Sequence, residues 1–335
     1  MGLLPGLIIS GGCLALLLWN VDWSGLLAAL KGANYWWLSA SLVSLLLAMG
    51  FKVLKWQQLL APVRDCSRLK LFYSIFVGYL INTVLPGRLG EVARAYLLAR
   101  LEHIGLAVVL SSVAVDRVLD ITVLALMLGG VLPLIDLPEW VAASGIGMGS
   151  VGLLLLLLCV LLAMPSGNGF FFAMLDAIPR FPGKPVLRKL AAELILGVAG
   201  LKGVRQFVAV SFTSVGIWLA TALSFYFGQL AFHIQAPMES ALLVTSLTSL
   251  GMVVPSSPSY LGVFHYLTVL AMVAYGVDKE VALGFAIVMH LQQTLLRGTL
   301  GAFSLWRCGL TLMSWRELPV DLESEASVPS RTNLS

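Results

Sequence analysis

A chain of 335 residues that is 59% hydrophobic and only 11% charged falls outside the soluble classes, in which about a quarter of residues carry charge. Its net charge of +4 would point a soluble protein toward nucleic acid. In so apolar a chain the basic residues instead set membrane orientation and touch anionic lipid, and no nucleic-acid partner is expected. The four cysteines, Cys13, Cys66, Cys159 and Cys308, form no CxxC pair, which argues against a disulfide framework and against a metal site.

Apolar runs of about 20 residues, the length that crosses ~30 Å of hydrocarbon, recur from end to end. The first, at 3–19, has no Lys or Arg before it and reads as a retained helix, not a cleaved signal peptide. An interfacial stretch at 22–33 leads to a span at 35–60. That span opens on the aromatic belt Tyr35-Trp36-Trp37 and ends with Lys52, Lys55 and Trp56, placed to snorkel toward the interface. An apolar segment at 69–85 stops at Pro86, residues 89–101 are helical in pattern but too short to span, and a long span follows at 107–135. The second half repeats the order: a span at 140–163, a polar connector at 166–205 and a span at 206–233. A segment at 238–254 then runs into a break, with a short apolar piece at 263–275 and a last span at 279–306. Beyond Trp315 the chain is rich in Ser, Glu and Pro and reads as disordered.

The two breaks carry one phrase, Pro-x-x-Leu-Gly, as Pro86-Gly87-Arg88-Leu89-Gly90 and as Pro258-Ser259-Tyr260-Leu261-Gly262. Backbone that leaves a helix inside lipid must find new partners or line a wet cavity. Paired Gly/Pro-interrupted segments in matching halves therefore point to a transporter's binding site. Basic residues place the loop at 61–70 and the connector in the cytoplasm, and the loops at 136–139 and 234–237, without Lys or Arg, outside. These assignments agree only if each broken segment returns to the side from which it entered.

The expected fold is thus an all-α polytopic membrane protein with about six full spans and two re-entrant helical hairpins in an inverted repeat. Residues 1–135 make the first repeat (hairpin 69–101), 136–313 the second (hairpin 238–275), and 314–335 a disordered cytoplasmic tail. Both termini are expected in the cytoplasm.

The chemistry concentrates at the breaks. Arg88, Glu91 and Arg94 lie within seven residues, and Glu91 and Arg94 share a helix face. A charge inside the bilayer costs at least ~2.5–3.5 kcal/mol, so it faces a cavity or a partner. A guanidinium fork matches phosphate oxygens, and a half-helix beginning near Leu89 would aim its backbone N–H groups at an anion. One reading is a phosphate pocket of Arg88, Arg94 and the Gly87 and Gly90 backbone; the other has Glu91 neutralising one arginine in a structural lock. Asp116, Arg117 and Asp120 follow in the next span, as a buried ion-pair network or as partners of the arginines and a coupling proton. The second break offers neutral donors, Ser257, Ser259 and Tyr260, then His265, either to contact a headgroup or simply to let helices approach. After it come His290, Gln292, Gln293 and Arg297. No Ser-His-Asp order, Walker loop, HExxH or Rossmann glycine pattern is present, so no catalytic residue, cofactor or metal is expected and the chain is not read as an enzyme.

The run Asn82-Thr83-Val84-Leu85-Pro86-Gly87-Arg88-Leu89-Gly90-Glu91-Val92-Ala93-Arg94, followed by Asp116-Arg117-Val118-Leu119-Asp120, resembles the flippase-like family of integral membrane proteins. This is the family of the membrane domain of lysylphosphatidylglycerol synthases and its stand-alone relatives. The later run from Pro255 to His265 is similar to its second signature, although Pro258-Ser259 and His265 stand where relatives tend to have Pro-Gly and an acidic residue. The resemblance implies movement of a lipid with a charged headgroup between leaflets, without the soluble aminoacyl-transferring domain. The expected partners are a membrane phospholipid or other lipid with an anionic headgroup and, as a further option, a lipid-synthesis enzyme. The expected location is the bacterial inner membrane. A small-solute secondary transporter, a non-catalytic partner of a lipid-synthesis complex and an intramembrane enzyme using Asp116 and Asp120 are the alternatives.

Overall fold

The computed structural model describes residues 3–19, 21–85, 89–135, 139–164, 169, 172–174, 176–177, 184–252 and 257–310. The expectation of a disordered tail at 314–335 lies outside them, as do Pro86, Gly87 and Arg88. The described elements are helical: α1 (Leu3–Leu18), α2 (Trp23–Lys31), α3 (Tyr35–Leu60), α4 (Arg68–Val84), α5 (Leu89–Glu102) and α6 (Leu106–Val131). They continue as α7 (Glu139–Ala163), α8 (Lys184–Val198), α9 (Val204–Ala231), α10 (Met238–Gly251), α11 (Val263–Ala274) and α12 (Lys279–Arg307). Short polar residues set the starts. The Asp22 and Asn34 side chains accept the N–H groups of Ser24 at 3.0 Å and Trp36 at 2.9 Å, satisfying donors that a first turn leaves open.

By length and composition four stretches can cross a bilayer: Tyr35–Leu60, Leu106–Leu134, Gly145–Ala163 and Val204–Ala231. A fifth candidate, Ile9–Leu18 with Trp23–Lys31, is bent by 93°. The sixth expected span, α12, has the length, but His290, Gln292, Gln293 and Arg297 keep it out of the strictly apolar set. Leu153, Leu154, Leu157, Leu158 and Leu161 of α7 are exposed, as suits a helix against lipid tails.

The second half repeats the first in the order of its elements. A short helix, a long helix, a pair of short helices and a long helix appear as α2–α6 and again as α8–α12. The corresponding helices α3 and α9 run antiparallel along their whole length. The Asn34 N–H donates to the Ala231 carbonyl at 2.8 Å, Ser41 and Ser224 share a 2.9 Å hydroxyl bond, and Thr213 donates to Gln58 at 2.9 Å. In lipid no hydrophobic force joins helices, so small residues and interhelical hydrogen bonds, about 0.6 kcal/mol each, carry this seam. The last helix of each half packs on the other half's hairpin: α12 lies on α4, and α6 lies on α10. Gly301 makes the first contact close, since a Cβ there would sit 2.6 Å from the Phe76 carbonyl.

The two hairpins turn differently. Helices α4 and α5 cross where Gly78 meets Gly90; a Cβ on Gly90 would lie 2.0 Å from the Gly78 carbonyl. Helices α10 and α11 are joined through a turn at Pro258–Tyr260, where Ser259 (φ 58°) and Tyr260 (φ 60°) are both left-handed. Each such residue costs roughly 1–2 kcal/mol, so the surroundings must hold the turn. The Ser257 N–H donates to Ser10 Oγ at 2.9 Å and its hydroxyl to the Leu261 carbonyl at 2.9 Å. On the far side, His290 Nε2 meets the Ser259 carbonyl at 2.8 Å.

One expectation of the fold needs revision. The stretch 166–205 is more than a connector, because α8 packs on α6 with Gly197 against Ser111. Gly145 and Gly149 seat α7 against Leu128 and Ala125 of α6.

Candidate functional site

Three helices bring their charges to one place. Helix α3 presents Lys52, Lys55 and Trp56, which at i, i+3 and i+4 share a face. Helix α6 presents Asp116 and Asp120 at i and i+4 with Arg117 between them, and α5 presents Glu91 and Arg94 at i and i+3. Lys52 lies 2.9 Å from Asp116 and 2.7 Å from Asp120, and Lys55 lies 2.6 Å and 2.5 Å from the same two carboxylates. Arg94 bonds Asp116 at 2.9 Å and Glu91 at 2.8 Å, with its guanidinium 4.9 Å from the Trp56 ring. Arg117 pairs with Glu91 and approaches Asp120 at 3.9 Å. The Trp218 indole N–H of α9 donates to Asp120 at 3.2 Å.

The snorkelling expected of Lys52 and Lys55 is therefore wrong. They are 4% and 0% exposed, and both bridge the two aspartates. Burying such charges is tolerable because each has partners; removing one partner leaves a charge uncompensated at a cost of about 3–5 kcal/mol. Asp116 (0% exposed) and Arg94 (4%) are the closed heart of the network.

Beside it lies a cavity of about 140 Å³. Both hairpins reach it: Asn82 and Thr83 from the end of α4, and Ser259 and Tyr260 from the second turn. That turn also packs on α4. Lys52, Glu91, Arg117 and Asp120 form one charged wall, and Trp218 stands beside them. His290, Gln293, Thr294 and Arg297 of α12 face them.

The expected site residues separate into two sets. Glu91, Arg117, Asp120, Ser259 and Tyr260 line the cavity, whereas Arg94 and Asp116 lie behind its wall. Arg94 thus serves the ion-pair network and is not among the lining cations, contrary to the pocket expected of it. The Gly90 N–H is not open to a ligand either, because Asn82 Oδ1 accepts it at 2.8 Å. Ser257 ties down the turn, and His265 packs behind it with its ring 4.8 Å from that of His290. Arg88 and Gly87 fall outside the described residues. Lys52, Lys55, Tyr79 and Trp218 also belong to the site, beyond the residues expected there. The spacing Lys-x-x-Lys-Trp inside an apolar run was the available signal for the first two. Arg297 was noted only as one member of a polar group.

Residues 3–301 match the family described as the lysylphosphatidylglycerol synthase TM region. The UPF0104 membrane protein MJ1078 of Methanocaldococcus jannaschii is 25% identical over 219 residues, which cover 63% of this chain and 86% of that protein. No solved structure matches. The match runs through both breaks, the buried charge network and the cavity lining, and the chain belongs to the lysylphosphatidylglycerol synthase transmembrane-region family.

Proposed function

We propose that the protein is a lipid translocase, not an enzyme, that moves an anionic or phosphate-bearing lipid between the leaflets of a bacterial inner membrane. The headgroup crosses through the cavity between the two breaks while the acyl chains stay in the bilayer. The observation that carries this reading is the cavity itself. It is lined by the helices that flank the first interruption and by the turn of the second, and Lys52, Arg117 and Arg297 line it against two carboxylates, Glu91 and Asp120. Such a lining replaces part of the water that a headgroup must shed, and its excess of cations favours an anion. The ion pairs behind it keep the wall rigid, so little ordering is needed when a headgroup enters.

Reconstitution in vesicles with a fluorescent anionic phospholipid in one leaflet tests the reading. The expected result is leaflet exchange well above that of empty vesicles, slowed at least tenfold by Arg117→Gln. Exchange at the rate of empty vesicles by the folded wild-type protein would overturn it.

A further inference from the structure

We propose that Arg297 is the residue that contacts the substrate's anion, and that with Arg117 across the cavity it takes a doubly charged phosphate monoester. This deepens the headgroup-cavity reading and rests on it.

Arg297 differs from every other cation at the site. Lys52, Lys55 and Arg94 each touch two carboxylates, and Arg117 touches Glu91 and Asp120. Among the described residues no Asp or Glu pairs with Arg297. Its Nη2 donates to Gln293 at 3.0 Å and its guanidinium lies 5.3 Å from the Tyr79 ring; its buried Nε has no partner, which it shares with Arg94 and Arg117. Gln293 one turn earlier and the face of Tyr79 fix the plane of the fork without neutralising it. A guanidinium held this way presents parallel N–H donors to oxygens of one planar or tetrahedral anion.

Charge counting sets the class of that anion. The network of Lys52, Lys55, Glu91, Arg94, Asp116, Arg117 and Asp120 holds four cations and three carboxylates, and Arg297 adds a cation with no counterpart. Among the described residues the cavity lining, Lys52, Arg117 and Arg297 against Glu91 and Asp120, therefore has one positive charge in excess, and the buried residues behind it, Lys55 and Arg94 against Asp116, a second. Uncompensated charge in a low-dielectric site is costly, and a ligand of matching charge relieves that cost. A carboxylate or a phosphodiester brings one negative charge. A phosphate monoester brings about 1.5 to 2 at neutral pH, with three acceptor oxygens. Thr294 and Ser259, whose hydroxyls sit 3.4 Å apart on the same wall, supply neutral donors for the remaining oxygen.

The same chemistry comes from a lipid phosphate or from a soluble phosphate ester, and binding measurements separate them. Purified wild type, Arg297→Gln and Arg297→Lys are placed in phosphatidylcholine nanodiscs and titrated with phosphatidic acid, with phosphatidylglycerol, and with glycerol 3-phosphate as soluble competitor. Thermal melting checks that each variant is folded. The wild type should bind phosphatidic acid at least tenfold tighter than phosphatidylglycerol. Arg297→Gln should lose that preference, and Arg297→Lys, which keeps the charge but not the fork, should lose several-fold. Equal binding of the two lipids by wild type, or unchanged binding by the variants, overturns the proposal; should Arg297→Gln fail to fold, the Lys variant decides. Displacement of phosphatidic acid only by other lipids supports a lipid phosphate, while displacement by glycerol 3-phosphate supports the phosphate site with a soluble ligand and counts against lipid movement. Phosphatidic acid bound with the expected preference but never moved in vesicles leaves the site standing and removes the translocase. Lipid moved with no preference, equally by wild type and Arg297→Gln, does the reverse.

Discussion

The two hairpins occupy matching places in the fold and are held by opposite means. The first is closed by contact: Gly78 and Gly90 let its helices touch backbone to backbone, Asn82 caps the entry of α5, and Glu91 and Arg94 tie α5 into the buried charges of α3 and α6. The second has no ion pair of its own among the described residues. Its turn is strained at Ser259 and Tyr260 and is held by neutral hydrogen bonds to Ser10 and His290. One topology thus supports a stiff, charged wall and a neutral wall under tension. The order of the elements is shared, and the chemistry of each hairpin is local.

Breaking the charged side should have the largest effect. Asp116→Ala strips a carboxylate from Lys52, Lys55 and Arg94 at once and should cost about 3–5 kcal/mol, read as loss of folded protein or a collapse of the melting temperature in detergent. In the other half His265→Leu should change stability by less than about 1 kcal/mol, because its Nδ1 has no partner and an apolar replacement leaves nothing unsatisfied. A cost for His265→Leu equal to that for Asp116→Ala would dissolve the contrast.

Next comes the crossing of the first hairpin. Gly90→Ala forces its helices apart and should destabilise by about 1–3 kcal/mol, as overpacking does, whereas Gly298→Ala on α12 enters open space and should be nearly neutral. Melting of the two variants side by side checks this. The strain of the second turn gives a change of opposite sign. Ser259→Gly removes the left-handed penalty and should stabilise by up to about 1 kcal/mol, read as a higher melting temperature.

The smallest effect lies outside the membrane, in the loop between α3 and α4. Burial, and then Glu102, push the Cys66 thiol up to about 11. At pH 8 it should therefore resist maleimide in folded protein and react after denaturation. Because the neutral thiol is the form favoured by the fold, its contribution to stability is complete at neutral pH and is lost as pH rises through about 11.

Much of this architecture was legible in the sequence, for identifiable reasons. Long apolar runs have only one way to satisfy their backbone in lipid, so helices and their approximate limits followed. The twin Pro-x-x-Leu-Gly phrase marked both breaks, and the i, i+3 spacing of Glu91 and Arg94 announced their pairing. What stayed hidden depends on which way a helix faces. Lys52 and Lys55 near a span's end satisfy the snorkelling pattern equally well, and their true partners stand more than sixty residues away on α6. Arg94 carried the same difficulty: its charge was visible, but not that Asp116 would draw it behind the wall. For Arg297 the sequence shows the charge, but not that among the described residues no carboxylate stands beside it.

The exchange of terminal helices between halves has a temporal consequence. The first hairpin, complete at Glu102, receives its packing partner α12 only when synthesis reaches Lys279. At about 5–20 residues per second this is a delay of roughly ten to thirty-five seconds. For that interval the first hairpin, with Glu91 and Arg94, has one flank uncovered. The ion pairs to α3 and α6, whose members all precede residue 121, can form well before then. Those ion pairs draw on no later segment, so the charged face of the first hairpin has its partners in the chain before α12 exists.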